Sequence, residues 1–257
     1  MKIAVCCITK NEEIHLERLI KNINDLANEI IIVDSFSEDK TKDIALKYNC
    51  KFYQKSFDNF SNQKNFCLNK VSDSSEWVLF LDADEYITEE LKQEILSINE
   101  DIYDAYEFRR KFFWKGRWVK RGYFPHWFLR LGKKDKIKFD ENKINEHLLC
   151  LTDKVRRLEG CFVDNNLKST SKWFEKHNLY AEMESIRYFK NTEKSKKRLL
   201  WNKLPLIIRP FILLFYRLII KMSIFDGFYV SQYHFYHDFL YRMMIDIKIL
   251  KRFFFNK

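Results

Sequence analysis

Glycine and proline are scarce in this chain, at 5 and 3 of 257 residues, and neither Gly-x-Gly-x-x-Gly nor Gly-x-x-x-x-Gly-Lys-Ser/Thr occurs. Dinucleotide-fingerprint and P-loop chemistry are therefore disfavoured. The six cysteines (Cys6, Cys7, Cys50, Cys67, Cys150, Cys161) contain no Cys-x-x-Cys pair and no regular spacing, so they read as buried thiols rather than a disulfide or zinc framework. Long uncharged apolar runs are missing too. The longest within the apolar stretch Leu204–Ile220 is Pro210–Tyr216, far below the ~20 residues that span a bilayer. Met1-Lys2 leads at once into Ile3–Ile8, too short for a signal core, which points to a chain that stays in the cytoplasm. Acid is short in one place: Lys168–Lys257 holds 18 Lys and Arg against 7 Asp and Glu, whereas Met1–Leu167 holds 28 against 29. A basic segment of this kind meets nucleic acid or an anionic membrane surface. No recognition motif accompanies it, so no nucleic-acid partner is expected.

What is present concentrates in Trp77–Glu85, where an apolar run of strand length ends in Asp82, Asp84 and Glu85. Apolar residues on both faces suit a covered strand, and ligands of open α/β sheets bind at the carboxyl ends of such strands. If the extended conformation persists, Asp82 and Asp84 leave on the same side and share a divalent cation, for which hard oxygen ligands favour magnesium or manganese. Asp-x-Asp alone is equally a strand-to-helix turn, with Asp84 or Thr88 capping a helix that starts near Glu89. Elsewhere the same alternation recurs. Strands are expected at Lys2–Thr9, Glu29–Val33, Lys51–Gln54 and Trp77–Leu81. Helices are expected to about Asn24, with Ile14, Leu16, Leu19, Ile20 and Ile23 as the apolar side, then at Asp43–Tyr48 and Asn62–Val71. This order predicts an α/β fold with a parallel sheet between helices, and a nucleotide-sized cleft where the strands ending at Asp34 and Asp82 open. Beyond it, Tyr106, Phe108, Arg110 and Phe112 alternate toward a hairpin with Lys115-Gly116 near the turn.

Four motifs in order and spacing carry a resemblance: Ile8-Thr9-Lys10-Asn11-Glu12-Glu13; Ile31–Thr41 with Asp34 and Asp39; Gln63-Lys64-Asn65; and Leu81-Asp82-Ala83-Asp84-Glu85. They are similar to the family 2 inverting glycosyltransferases of the GT-A fold, and most resemble the branch with lipopolysaccharide inner-core β-glucosyltransferases. The resemblance implies a Rossmann-like mixed sheet flanked by helices and a metal-dependent transferase. Its catalytic domain would be 1–168, with a nucleotide-sugar half of about 1–100 and an acceptor half of about 101–168. A helical, basic and apolar extension would follow at 169–257. Thr9, Asn11 and Glu12 lie where the first strand opens onto the donor, Asp34 matches the acid that recognises its base, and Gln63 and Asn65 match a polar pair lining the donor site. Asp39 reads equally as a helix cap. Asp82 and Asp84 match the Asp-x-Asp signature, with Asp84 the direct metal ligand and Mn²⁺ or Mg²⁺ the cofactor. Glu85 orients its neighbours.

An inverting transfer needs a base opposite the departing diphosphate. Glu146, in Ile144-Asn145-Glu146-His147, is the resembling acid, although Asn145 stands where the family has His. At Val163-Asp164-Asn165 the family's His is also missing, and Asp164 is left as a further metal ligand. The expected reaction moves a hexose, glucose from UDP-glucose first, onto a cell-envelope glycan such as lipopolysaccharide core or a lipid-linked oligosaccharide. The alternatives are a non-catalytic, membrane-associated member of the fold and a nucleotidyltransferase. Ser171–Phe189 reads as a helix, with His177 a surface or packing residue and not a ligand. From Lys190 on, basic residues (Lys194, Lys196, Lys197, Arg198) border apolar stretches, in which Arg and Lys would snorkel to headgroups. The expected location is therefore cytoplasmic and peripheral, on the inner face of the cytoplasmic membrane, with a packed helical subdomain as the alternative.

Overall fold

The computed structural model describes residues 1–99, 102–140, 147–190 and 196–255. They form two compact units: Met1–Phe113 with Phe124–Leu167, and Trp114–Tyr123 with Lys168–Lys257. The hairpin tip expected within the acceptor half is thus grouped with the second unit.

In the first unit β1 (Ile3–Thr9), α1 (Leu16–Ile23), β2 (Glu29–Asp34), α2 (Thr41–Lys47), β3 (Lys51–Gln54), α3 (Phe60–Leu68) and β4 (Trp77–Phe80) alternate as the periodicity predicts. Strand order β3-β2-β1-β4 is parallel throughout. Every second residue of β1 faces one layer. Ile3, Val5 and Cys7 pack with Leu16, Leu19, Ile20 and Ile23 of α1, while Ala4 and Cys6 pack with Cys67 and Val71 on the α3 side. A strand covered on both faces must read as a continuous apolar run, which is what makes it visible in sequence. Ile14 departs from its expected place on the apolar side of α1: it precedes the helix and is half exposed.

The sheet then turns antiparallel. After β5 (Glu85–Ile87) and α4 (Glu89–Leu96), β6 (Ala105–Trp114), β7 (Arg117–Trp118), β8 (Trp127–Lys133), β9 (Ile137–Phe139), β10 (Leu148–Cys150) and β11 (Val155–Asn165) complete the strands. The order continues β4-β8-β6-β11-β5, with β8 antiparallel to both β4 and β6, β11 parallel to β6, and β5 antiparallel to β11. Thus the sheet is mixed. The register sets Asp164 opposite Glu85.

The second unit holds the turn Lys115-Gly116, where both residues have positive φ (47° and 74°), the geometry of a two-residue hairpin. It also holds α5 (Thr170–Lys190), α6 (Lys196–Lys203), α7 (Ile208–Phe215), α8 (Phe228–His234) and α9 (Tyr241–Phe255), with widened π turns at Tyr216–Ile220 and Phe235–Leu240. Ala181 of α5 packs with Tyr241, Ile245 and Ile249 of α9. His177 stacks on Trp173 (3.6 Å), and burial pushes its imidazole down to about 4.

Candidate active site

Adjacent strands β2, β1 and β4 end side by side, and the loops after them build the site. Asp34, fully buried at the end of β2, accepts from the Thr9 hydroxyl (2.8 Å) and the Ser37 backbone N–H (2.7 Å). Asn11, at φ 54°, donates its N–H to Ser37 Oγ (2.7 Å) and accepts from Glu38 N–H (2.9 Å). Asp39 accepts from the N–H groups of Glu13 (3.0 Å) and Thr41 (3.0 Å), so it ties the two loops together and satisfies the first N–H of α2, whose N-cap residue is Lys40. Thr9, Asn11, Glu12 and Asp34 are therefore parts of one cross-linked double loop. Glu12 reaches His15 Nδ1 (2.7 Å), and His15 Nε2 accepts from Leu167 N–H (2.8 Å). This acceptor role places the proton on Nδ1, so the buried imidazole links the first loop to the end of β11.

Three successive residues of α3 serve three different parts. Gln63 donates to Ser35 Oγ (2.9 Å) and Lys55 O (3.0 Å), holding the β2 loop, while its buried Oε1 has no protein partner. Asn65 pairs with the backbone of Phe139 in both directions (2.9 and 3.0 Å), anchoring β9 just before the segment with Glu146. Glu146 and Asn145 lie outside the described residues. Lys64 is the member brought to the acidic cluster, with Nζ 3.0 Å from Asp82 Oδ1.

Past β4 the chain does not stay extended. Ala83 and Asp84 form a turn, closed by Glu85 N–H donating to Asp82 O (2.9 Å), so the simple alternation expected for Asp82 and Asp84 does not hold. Glu85 is buried and accepts from Asp82 N–H (2.9 Å) and from Arg130 of β8, which fixes the turn. Arg130 also lies 3.7 Å from Asp82 Oδ2. Asp84 accepts from Asn166 Nδ2 (2.7 Å) through its side chain, and from Arg18 (2.9 Å) and Asn165 N–H (3.0 Å) through its carbonyl. Thr88, not Asp84, caps the following helix, accepting from Leu91 N–H at 3.4 Å. Asp164 faces Arg110 at 3.4 Å. Burial, followed by the charge of Asp84, pushes the Asp164 carboxyl up to about 7 despite Arg110. Burial likewise holds Glu85 well above the usual carboxylate range, against the pull of Arg130.

Among the described residues, no three His, Cys, Asp or Glu side chains form a preformed metal cluster. A magnesium-like ion carrying a diphosphate needs only one or two carboxylates, because phosphate oxygens and water complete its shell. Asp82 and Asp84 suit that role, and Asp164, raised first by burial and then by the charge of Asp84, is a third carboxyl within reach of their charge.

The sequence signature of Glycosyl transferase family 2 matches residues 4–158, from β1 into β11. The chain belongs to Glycosyl transferase family 2. An uncharacterized glycosyltransferase of Rickettsia bellii is 38% identical over 112 residues, 42% of this chain and 37% of the relative. One from Rickettsia typhi is 35% identical over 132 residues, 48% and 43% of the two chains. Glycosyltransferase SunS of Bacillus phage SPbeta is 31% identical over 93 residues, 35% and 22%. The match therefore spans less than half of each of these relatives. Among solved structures, S. aureus TarS 1–349 superposes with a TM-score of 0.50 at 16% identity, covering 100% of this chain and 92% of that one. TarS has also been crystallised with UDP-GlcNAc and with UDP. The fold of the family 2 chain is GT-A-like: a mixed curled sheet flanked by helices, followed by a helical region.

Several residues of the site carry no local signal in the sequence. Arg18, Asn166 and His15 acquire their roles through contacts that join residues 66 to 152 positions apart. Lys64 does sit inside a quoted motif. Its position between the amides of Gln63 and Asn65 is the available clue.

Proposed function

We propose that this family 2 chain is an inverting hexosyltransferase that takes a hexose from a UDP-sugar, with UDP-glucose the first candidate, and delivers it to a cell-envelope glycan such as lipopolysaccharide core or a lipid-linked oligosaccharide. The observation that carries the reading is the placement of Asp82 and Asp84 in a turn fixed by Glu85 and Arg130, beside the cross-linked loops that end β1 and β2. TarS, a neighbour in fold, was crystallised with UDP and UDP-GlcNAc, which supports a uridine donor. Asp84 and Asp82, with Asp164 a further candidate, would hold Mn²⁺ or Mg²⁺. When bound, the ion would neutralise charge on the leaving diphosphate. Lys64 and Arg130 add cations at the same place. Thr9, Asn11, Glu12, Asp34, Gln63 and Asn65 shape the donor pocket through the loop and strand contacts they make.

In the transfer, an acceptor hydroxyl oxygen bonds to the anomeric carbon as the bond to the β-phosphate oxygen breaks. UDP leaves with that electron pair. Glu146 takes the hydroxyl proton, and attack from the opposite face turns an α-linked donor into a β-linked product. The test is nucleoside diphosphate release from a panel of sugar nucleotides with manganese or magnesium, with and without EDTA, and with Asp84→Ala and Glu146→Gln. Release from one donor, abolished by EDTA and by either change, is expected. Pyrophosphate release from a nucleoside triphosphate would mark a nucleotidyltransferase. Equal release from wild type and Asp84→Ala would overturn the assignment of the site.

A further inference from the structure

We infer that the second unit carries a membrane-docking face, formed by the outer side of α7 with its π-turn continuation and by the turn that follows, which seats in the headgroup region of an anionic bilayer. The inference stands on this unit alone, independently of the sugar-transfer reading.

From Ile208 to Ile220 the exposed residues recur every three or four positions, including Ile208, Phe211, Phe215 and Ile219. This is a helical stripe turned outward instead of into a core. Beyond Lys221, Phe225 and Phe228 are also exposed, at 71% and 75%. Scattered exposed apolar residues need no explanation, but an outward apolar stripe repeated along one helix, with two exposed phenylalanines just after it, does.

The charges of the same segment are arranged away from this face. Arg209 is buried and pairs with Asp246 of α9 (Nε at 2.9 and 3.0 Å), and Arg217 turns to Gly122 O and toward Asp238 (3.6 Å). Both arginines expected to snorkel to headgroups are therefore directed inward. Asp226 is bonded by the N–H (3.0 Å) and guanidinium of Arg121, and Asp238 is buried against His234 and Tyr123. Of the five charged residues between Leu204 and Leu240, Lys221 alone is exposed.

Charge selects the occupant. The second unit carries 22 Lys and Arg against 7 Asp and Glu, or +15, whereas the first carries −5. Two copies meeting through this face would bring like charge together, while an anionic lipid surface is complementary. The helix Ile208–Ile220 is about 20 Å long, short of the ~30 Å hydrocarbon core, and no described helix is long and apolar enough to cross a membrane. The face therefore lies on the bilayer, with its apolar side in the acyl boundary and Lys221 at the headgroups.

The test is flotation of the full chain with vesicles of phosphatidylglycerol and phosphatidylcholine, and of phosphatidylcholine alone. Wild type should float with the anionic vesicles and bind the neutral ones more weakly. Phe225→Ser combined with Phe228→Ser should weaken anionic-vesicle binding about tenfold or more with an unchanged melting temperature, because both side chains are exposed. Should that variant melt early, Phe225→Trp replaces it, and a blue shift of its emission on adding anionic vesicles is expected. Failure of wild type to float, equal flotation of the double variant, an unshifted emission spectrum of the Phe225→Trp variant, or a gel-filtration dimer dispersed by the double variant would each overturn the inference. The last of these would assign the face to a second copy.

Discussion

Lys64 is the residue whose replacement separates metal from nucleotide. Its ammonium lies 3.0 Å from Asp82 Oδ1 and is almost fully buried, so it both offsets the carboxylate and competes with a cation for it. Lys64→Met should tighten manganese binding several-fold while weakening UDP binding at saturating metal up to about tenfold, since a charge-assisted contact to phosphate is lost. Calorimetric titration of each ligand checks both signs; changes in the same direction would contradict the role. Glu29, at the opposite end of β2, makes a different prediction. Burial alone would raise its carboxyl, but bonds from Lys51, Ser75 and Ser72 outweigh it and bring the group down to about 2. A depressed carboxylate stabilises the fold above its unfolded value near 4.5, and that stability is lost as pH falls toward 2. Glu29→Gln should therefore lower stability at pH 7 by about 1–3 kcal/mol and flatten the loss between about pH 4.5 and 2, as urea titrations at each pH would show. At this scale the acids of the site were legible, because Asp34, Asp82 and Asp84 follow apolar strands directly. Their partners were not. Arg130 and Asn166 reach them only when distant strands pair, and the turn at Ala83-Asp84 follows from Glu85 capping Asp82, which no two-residue periodicity encodes.

Gly160 governs how one element meets another. A Cβ built on it would come 2.5 Å from Leu91 Cα, so β11 can lie against α4 only with glycine there. Gly160→Ala should cost about 1–3 kcal/mol in a urea titration and displace the strand that delivers Asp164 and Asn165. An unchanged midpoint would mean that the strand and helix have room to part. The parallel half of the sheet was readable because β1, β2 and β4 are covered on both faces and appear as apolar runs. In the other half, β11 was not. β11 mixes Arg156, Arg157 and Glu159 with its buried Cys161–Val163, and its pairing shifts register between Arg157 and Cys161, which blurs any simple alternation. The hairpin at Lys115-Gly116 was visible for a local reason: the alternation of β6 leads into a glycine-containing turn of two positive-φ residues.

Across the whole chain, charge is divided as sharply as structure, −5 in one unit and +15 in the other. Any surface binding should therefore weaken with salt, and the part that survives should report apolar insertion; flotation repeated at low and high salt separates the two. The basic and apolar character of the last third was plain in the sequence. That its arginines turn inward was not, because Asp246 and Asp238, their partners, lie 37 and 21 positions away from Arg209 and Arg217. In the other unit, a family 2 fold is proposed to hold a uridine diphosphate through Asp82, Asp84 and a divalent ion. Titration of UDP into the full chain with manganese, with EDTA, and with Asp84→Ala tests it most directly. Binding is expected with manganese, and at least about tenfold weaker binding with EDTA or after the substitution. No binding under any condition, or binding indifferent to both EDTA and Asp84→Ala, would contradict it.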